Sequence, residues 1–215
     1  EIPWQVEAAT AGQVIDEVEQ LLRQGVDVLH LCDGEFNIPD KHAQAVCEEM
    51  VRRKLGERVR WYCYATVYPF PADLADTMRR AGCVGINFGV DSGCERMLKG
   101  LRRSYGPEDI RQAVYSCKQA GIAVMLDLLI GGPNEDEASV RESVAFLKGL
   151  DPDCVGAATG IRIYPGTELA DVVRRQGAMM INPNLHGQVD DNESFLRPVF
   201  YLDRQLGESP IDLVI

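Results

Sequence analysis

The sequence predicts an α/β protein whose parallel strands curve into part of a TIM-like barrel. Two observations predict it. First, apolar strand-like runs alternate with stretches of helical period, and glycines at 25, 56, 82, 121, 149 and 177 close the helices; that alternation implies βαβ units and a parallel sheet. Second, Asp33-Gly-Glu-Phe-Asn37, Gly89-Val-Asp-Ser-Gly93, Gly131-Gly-Pro-Asn-Glu135 and Tyr164-Pro-Gly-Thr167 each follow such a run. Loops at the carboxyl ends of barrel strands are where that architecture builds its active site.

The elements follow in order. After Thr10, residues Val14, Ile15, Val18, Leu21 and Leu22 share one helical face, and Gly25 supplies the left-handed stop. Val26 to Leu31 reads as a buried strand. Asp40 is expected to cap a helix that buries Ala43, Val46, Cys47, Met50 and Val51. Arg58 to Ala65 alternates as a second strand, Pro71 to Ala81 is a short helix, and Cys83 to Phe88 is a third strand. Pro107 suits the first turn of a helix lined by Ile110, Ala113, Val114 and Cys117. Ile122 to Ile130 is a fourth strand. Glu135 or Asp136 opens the next helix, which stops near Gly149, and Cys154 to Ile163 is a fifth strand weakened by Gly156 and Gly160. Thr167 caps a last helix. Five strands do not close an eight-fold barrel, so residues 1–180 are expected to form a partial one and 181–215 a short extension with Pro198-Val-Phe-Tyr-Leu202 extended. The alternation opens on a helix, so the first strand of the repeat is expected upstream.

Composition narrows the function. The 215 residues carry a net charge of −11, which argues against nucleic acid as the main partner. The cysteines at 32, 47, 63, 83, 94, 117 and 154 are odd in number and include no C-x-x-C, so a reduced, cytoplasmic interior is expected rather than a disulfide scaffold. No apolar run is long enough to span a bilayer. His30, His42 and His186 show no zinc spacing.

Each strand-end segment has a ligand reading and a plainer one. Glu35 can accept hydrogen bonds from a ligand ammonium or stand in solvent as a loop acid. Asp91 and Ser92, flanked by glycines, suit a ribose diol or a turn with a helix cap. Gly131, Gly132 and Pro133 offer flat backbone to a purine, or form a simple turn. Tyr164 offers a ring face or merely packs. Arg103 suits a carboxylate by its fork, or is a solvated surface arginine. Cys94, at a helix start, is either a thiol of lowered pKa or an idle one.

Taken together, these segments resemble the radical S-adenosylmethionine superfamily from about Thr10 to Gly177, and within it the group of cobalamin-dependent enzymes and methylthiotransferases. Asp33-Gly-Glu35-Phe-Asn37, Gly89-Val-Asp91-Ser92-Gly93, Leu98 to Tyr105 with Arg103, Gly131 to Asp136 and Tyr164-Pro-Gly-Thr167 each resemble a segment of that group. The resemblance implies a partial (β/α)6 barrel. It implies that Glu35 binds the methionine amino group of S-adenosylmethionine and Arg103 its carboxylate, that Asp91 and Ser92 meet the ribose, and that backbone from Ile130 through Gly131 and Gly132 to Pro133, with Tyr164, holds the adenine. It also implies a 4Fe–4S cluster that reduces the sulfonium. The family's Cys-x-x-x-Cys-x-x-Cys loop is absent from these residues, so the cluster ligands are expected upstream and the 215 residues alone are expected to be inactive. Asp91 stands where the group has Glu, and Asn134 where it has glycine; Asn accepts left-handed geometry. The Pro198-Val-Phe-Tyr-Leu202 tail resembles the cobalamin-binding members. The resemblance therefore implies a cobalamin-dependent methyltransferase acting at carbon on a small molecule, with a cobalamin domain outside this chain. A tRNA methylthiotransferase and a non-catalytic nucleoside-binding barrel are the alternatives.

Overall fold

A computed structural model describes residues 9–214. The elements run α1 (Ala11–Arg23), β1 (Val28–Leu31), α2 (Asp40–Arg52), β2 (Arg60–Ala65), α3 (Ala72–Arg80), β3 (Cys83–Asp91), α4 (Glu95–Gly100), α5 (Pro107–Ala120), β4 (Ala123–Ile130), α6 (Glu137–Leu150), β5 (Cys154–Thr159), β6 (Ile161–Arg162), α7 (Glu168–Arg175), β7 (Leu185–Gly187) and β8 (Val199–Tyr201). Strands β1 to β5 form one parallel sheet in sequential order. Sequential order is that of a TIM-like barrel wall; a doubly wound sheet reverses direction at a switch point.

The chain divides into two compact units, one running through Gly89 and including Asp109–Met125, the other comprising Val90–Glu108 and Leu126–Ile215. In the first, Thr10 closes a capping box on α1: its Oγ1 accepts from the Gln13 N–H at 3.3 Å and Gln13 Oε1 accepts from the Thr10 N–H at 2.8 Å. Strand β2 alternates strictly, burying Trp61, Cys63 and Ala65 under the helices while Arg60, Tyr62 and Tyr64 face the other way. The Trp61 indole N–H finds the Ala81 carbonyl at 2.9 Å. Gly56 is required by proximity, since a Cβ there would lie 2.0 Å from the Arg80 carbonyl oxygen.

In the second unit, β6, β8 and β7 make a three-stranded antiparallel sheet in that order. Ile163, Ala170, Val173, Phe195, Val199 and Tyr201 pack α7 against it as a fully buried cluster.

Several boundaries differ from the sequence reading. The third strand continues three residues past Phe88, so Asp91 is its last residue and not part of a loop. The single strand expected over Cys154 to Ile163 breaks at Gly160, whose φ of 85° turns the chain out of the first sheet and into the second. Helix α6 runs through Gly149, and Asp151 takes the left-handed position at φ 51°. Pro39, not Asp40, is the N-cap of α2. Helix α4 and strand β7 were not expected as separate elements.

Candidate functional site

The loop after β1 is held by its own motif. Phe36 donates its N–H to the Tyr64 carbonyl at 2.8 Å and meets Trp61 at a tilt of 57° with ring centroids 5.2 Å apart. Asn37, fully buried, accepts from the Thr66 N–H at 2.9 Å and donates to the Thr66 and Pro69 carbonyls at 2.9 and 2.7 Å. The aromatic and amide residues thus lock the loop to the end of β2, and Glu35, immediately before them, is left exposed.

The other predicted residues belong to the second unit. Asp91 ends β3 with φ 59°, a left-handed value that an aspartate tolerates. Its carboxylate is ion-paired with Arg103 through both Nε and Nη2. Burial pushes the Asp91 carboxyl above its ordinary value, the Arg103 charge pulls it back, and Asp127 adds a smaller push upward. Ser92 is buried: its hydroxyl shares a 2.8 Å bond with the Ser143 hydroxyl of α6 and accepts from the Cys94 N–H at 3.1 Å. It therefore anchors the Asp91 turn from inside instead of presenting its hydroxyl outward. Cys94 is buried as well, and burial raises its thiol, which is the idle-thiol reading.

The loop after β4 is organised by Glu135. One carboxylate oxygen, Oε2, accepts from the Gly131 N–H at 2.5 Å and the Gly132 N–H at 3.0 Å. Glu135 is 2 % exposed, and burial lifts its carboxyl while the two N–H groups act the other way. Asp136 alone caps α6, in a capping box with Ser139. Gly131 has φ 124° and its missing Cβ would lie 2.8 Å from Leu202 Cδ1. The Ile130 carbonyl accepts from the Gly160 N–H at 2.7 Å. The backbone polar groups expected to read a purine edge are thus engaged within the protein at Ile130, Gly131 and Gly132. Pro133 is half-buried, and Asn134 is left-handed at φ 63°, as its substitution for glycine requires.

Two side chains that sequence reading missed clamp this loop. Arg96 of α4 donates to the Asn134 carbonyl at 2.6 Å and to Asp136 at 3.0 Å. Asp203, buried beyond β8, donates its N–H to the Gly131 carbonyl at 3.1 Å and accepts from the Asn134 N–H at 2.8 Å. Tyr164 is 57 % exposed; the Arg162 guanidinium lies 5.2 Å from its ring centroid. A cleft of about 350 Å³ lined by Asp40, Gln44, Glu48 and Asp73 lies on the helices of the first unit and includes none of the predicted site residues.

The residues present do not fit an iron–sulfur cluster. Among the described residues no group of His, Cys, Asp or Glu could hold a metal ion. Five of the seven cysteines are buried, and burial drives the Cys47 and Cys117 thiols far above their ordinary range. Among the described residues no helix is long and apolar enough to cross a membrane.

Strand-end loops of this kind, on a sequentially ordered parallel sheet, define an α/β protein of the TIM-like class. The chain belongs to the radical SAM superfamily, whose family model matches residues 2–147. It is 31 % identical over 175 residues to a tryptophan 2-C-methyltransferase of Streptomyces laurentii, covering 76 % of this chain and 29 % of that enzyme. Among solved structures, the radical S-adenosylmethionine methyltransferase TsrM of Kitasatospora setae, with cobalamin and a 4Fe–4S cluster bound, matches with a TM-score of 0.83 and 28 % identity over 94 % of this chain and 42 % of that one. A tRNA-2-methylthio-N(6)-dimethylallyladenosine synthase of Caldicellulosiruptor saccharolyticus is 28 % identical over 155 residues, 66 % of this chain and 32 % of the synthase. The chain thus spans less than half the length of each of these relatives.

Proposed function

We propose that this chain is the S-adenosylmethionine-binding core of a cobalamin-dependent radical SAM methyltransferase that methylates a small molecule at carbon. The observation that carries the reading is the pair of reinforced strand ends, Asp91 with Arg103 after β3 and the Glu135-braced glycine loop after β4. Similarity to a carbon methyltransferase and to a cobalamin-bound methyltransferase structure supports the same reading.

In this reading Asp91 takes the ribose hydroxyls, Ser92 holds the Asp91 turn in place, and Arg103 takes the methionine carboxylate by sharing or exchanging its contact with Asp91. Glu35, exposed on a loop fixed just after it by Phe36 and Asn37, takes the ammonium. The apolar flank from Ile130 to Pro133 packs the adenine, with Tyr164 at its edge; shape, more than hydrogen bonds to Gly131 and Gly132, selects the base. Residues 1–180 form the core and 181–215 brace it through Asp203. Cobalamin, when bound, would supply a carrier for the methyl group, and its domain and the cluster ligands lie outside these 215 residues, which alone are inactive. A tRNA methylthiotransferase is the second reading, supported by the match to such a synthase and opposed by the net charge of −11.

The test uses the full-length protein, reconstituted without oxygen. Iron and corrinoid are quantified, and transfer of labelled methyl from S-adenosylmethionine is followed over a panel of small aromatic and aliphatic acceptors. Iron, bound corrinoid and a carbon-methylated product are expected. An iron-free protein, or one that binds tRNA with a steep salt dependence and ignores corrinoid, would contradict the reading.

A further inference from the structure

The first unit carries a group of side chains that neither the core nor the strand-end loops use. His30 on β1 pairs in register with Tyr62 on β2, and Tyr64 follows two residues on, so all three project from the face of these strands opposite Trp61 and Cys63. The His30 and Tyr62 rings stack at 4.1 Å and 13°, and the Tyr64 ring meets His30 at 5.2 Å and 54°. Yet the face is open: Tyr62 and Tyr64 are 43 % and 42 % exposed, and His30 is exposed too. Among the described residues, none of the three side chains has a hydrogen-bond partner.

We propose that this face beds the flat ring of the substrate, an aromatic molecule carrying a ring N–H or O–H group. This rests on the reading of the chain as a methyltransferase core and adds the class of acceptor. Three arguments carry it. Contact with His30, stacked for Tyr62 and tilted for Tyr64, already restrains the rings, so less side-chain freedom remains to be lost when a ligand lies on them. The imidazole and two phenol groups put both donors and acceptors at the edge of an otherwise apolar bed, which matches a neutral heteroaromatic or phenolic ring better than a phosphate or an aliphatic chain. The neighbouring strand leaves room beside one ring: Gly85 of β3 is the register partner of Tyr62, so the β3 residue directly opposite that ring carries no side chain. The bed is also joined to the loop that carries Glu35, through the Phe36 N–H to Tyr64 carbonyl bond at 2.8 Å. A substrate ring on Tyr64 would therefore lie on the same strand that fixes the Glu35 loop.

The test measures binding of indole, phenol and cyclohexanol to the intact protein by equilibrium dialysis. S-Adenosylmethionine affinity is measured separately by calorimetry. Indole and phenol are expected to bind at least roughly fivefold tighter than cyclohexanol. The double variant Tyr62→Ala, Tyr64→Ala should abolish that preference and leave S-adenosylmethionine affinity unchanged. Gly85→Leu provides a second route that keeps both tyrosines. A Cβ there sits an ordinary 3.7 Å from Tyr62 Cβ and from the Ala123 carbonyl oxygen, so the first added carbon fits, and the rest of the leucine, beside Tyr62, should shut the ring out. Equal binding of cyclic and aromatic probes by the unmodified protein overturns the proposal. So does a ring preference that survives Gly85→Leu or the double variant, because the rings would then bind elsewhere. Loss of S-adenosylmethionine binding by the unmodified protein would instead overturn the cofactor reading, whatever the ring probes show.

Discussion

Replacing Glu135 separates its bracing of the β4 loop from any contact with a ligand. In Glu135→Ala the N–H groups of Gly131 and Gly132 both lose the one oxygen that accepts them, and both glycines are buried. Leaving a buried donor unsatisfied costs about 1–3 kcal/mol, so the pair should cost about 2–6 kcal/mol. For a chain of this size each kcal/mol lowers Tm by about 2–4 °C, which predicts a fall of roughly 4–24 °C. Glu135→Gln should behave differently. A single amide oxygen can still accept both N–H groups, so only charge assistance is lost, about 1 kcal/mol per bond, and part of it returns because a charge is no longer buried. The comparison also has a sign in pH. Burial raises the folded carboxyl of Glu135 above the ordinary 4.5, so its stabilising contribution is complete below 4.5 and is lost as pH rises through the folded value. Glutamine does not titrate, so Glu135→Gln should gain on the wild type in Tm as pH rises from about 4 toward 7. Thermal unfolding of the intact protein and its two variants, with amide exchange at residues 131 and 132, reads all three expectations. An alanine variant as stable as wild type, with both amides still protected, would refute the bracing role; a gap between glutamine and wild type that is flat or reversed in pH would refute the buried carboxylate.

Other perturbations test separate links. Arg103→Ala leaves the Asp91 carboxylate, whose side chain is 11 % exposed, without its cation. The loss should be about 1–3 kcal/mol at pH 7 and should shrink as pH falls and the upward-shifted Asp91 carboxyl takes up a proton; calorimetric unfolding across an acid pH series checks it. Gly56→Ala puts a methyl group 2.0 Å from the Arg80 carbonyl oxygen, a clash that only backbone movement can relieve. It should cost more than about 2 kcal/mol by denaturant unfolding, and a neutral result would mean the α2–β2 connection is loosely packed. Glu35→Ala should weaken S-adenosylmethionine binding and spare Tm, since the exposed side chain supports nothing in the fold; unchanged affinity by titration calorimetry would remove the residue from the site.

How much was legible in the sequence follows from where each signal is stored. Helix faces and strand alternation are local, so α1 and β2 could be read from periodicity alone, and the left-handed Asn134 from its place in a glycine position. Gly160 was legible as a weakness, but not as the point where the chain changes sheets, because that depends on pairing with Phe200 and Tyr201 forty residues on. Ser92 and Glu135 were visible as polar residues at strand ends. Their direction was not, since it is set by Ser143 in one case and by two backbone N–H groups in the other. Asp203 carried no local signal: an aspartate in a polar tail looks like any solvated acid until the fold brings Gly131 and Asn134 to it. The His30, Tyr62 and Tyr64 group was hidden for a related reason. Strand alternation places the rings on one face, but only the strand register stacks them.

The most direct test of the central claim, that these strand-end loops hold S-adenosylmethionine, is amide exchange of the full-length reconstituted protein with and without that molecule. The account predicts that slowed exchange appears together in peptides spanning 33–37, 89–93 and 130–136, while the helices α2 and α3 are unaffected. Saturating S-adenosylmethionine that leaves all three segments exchanging as before would contradict it.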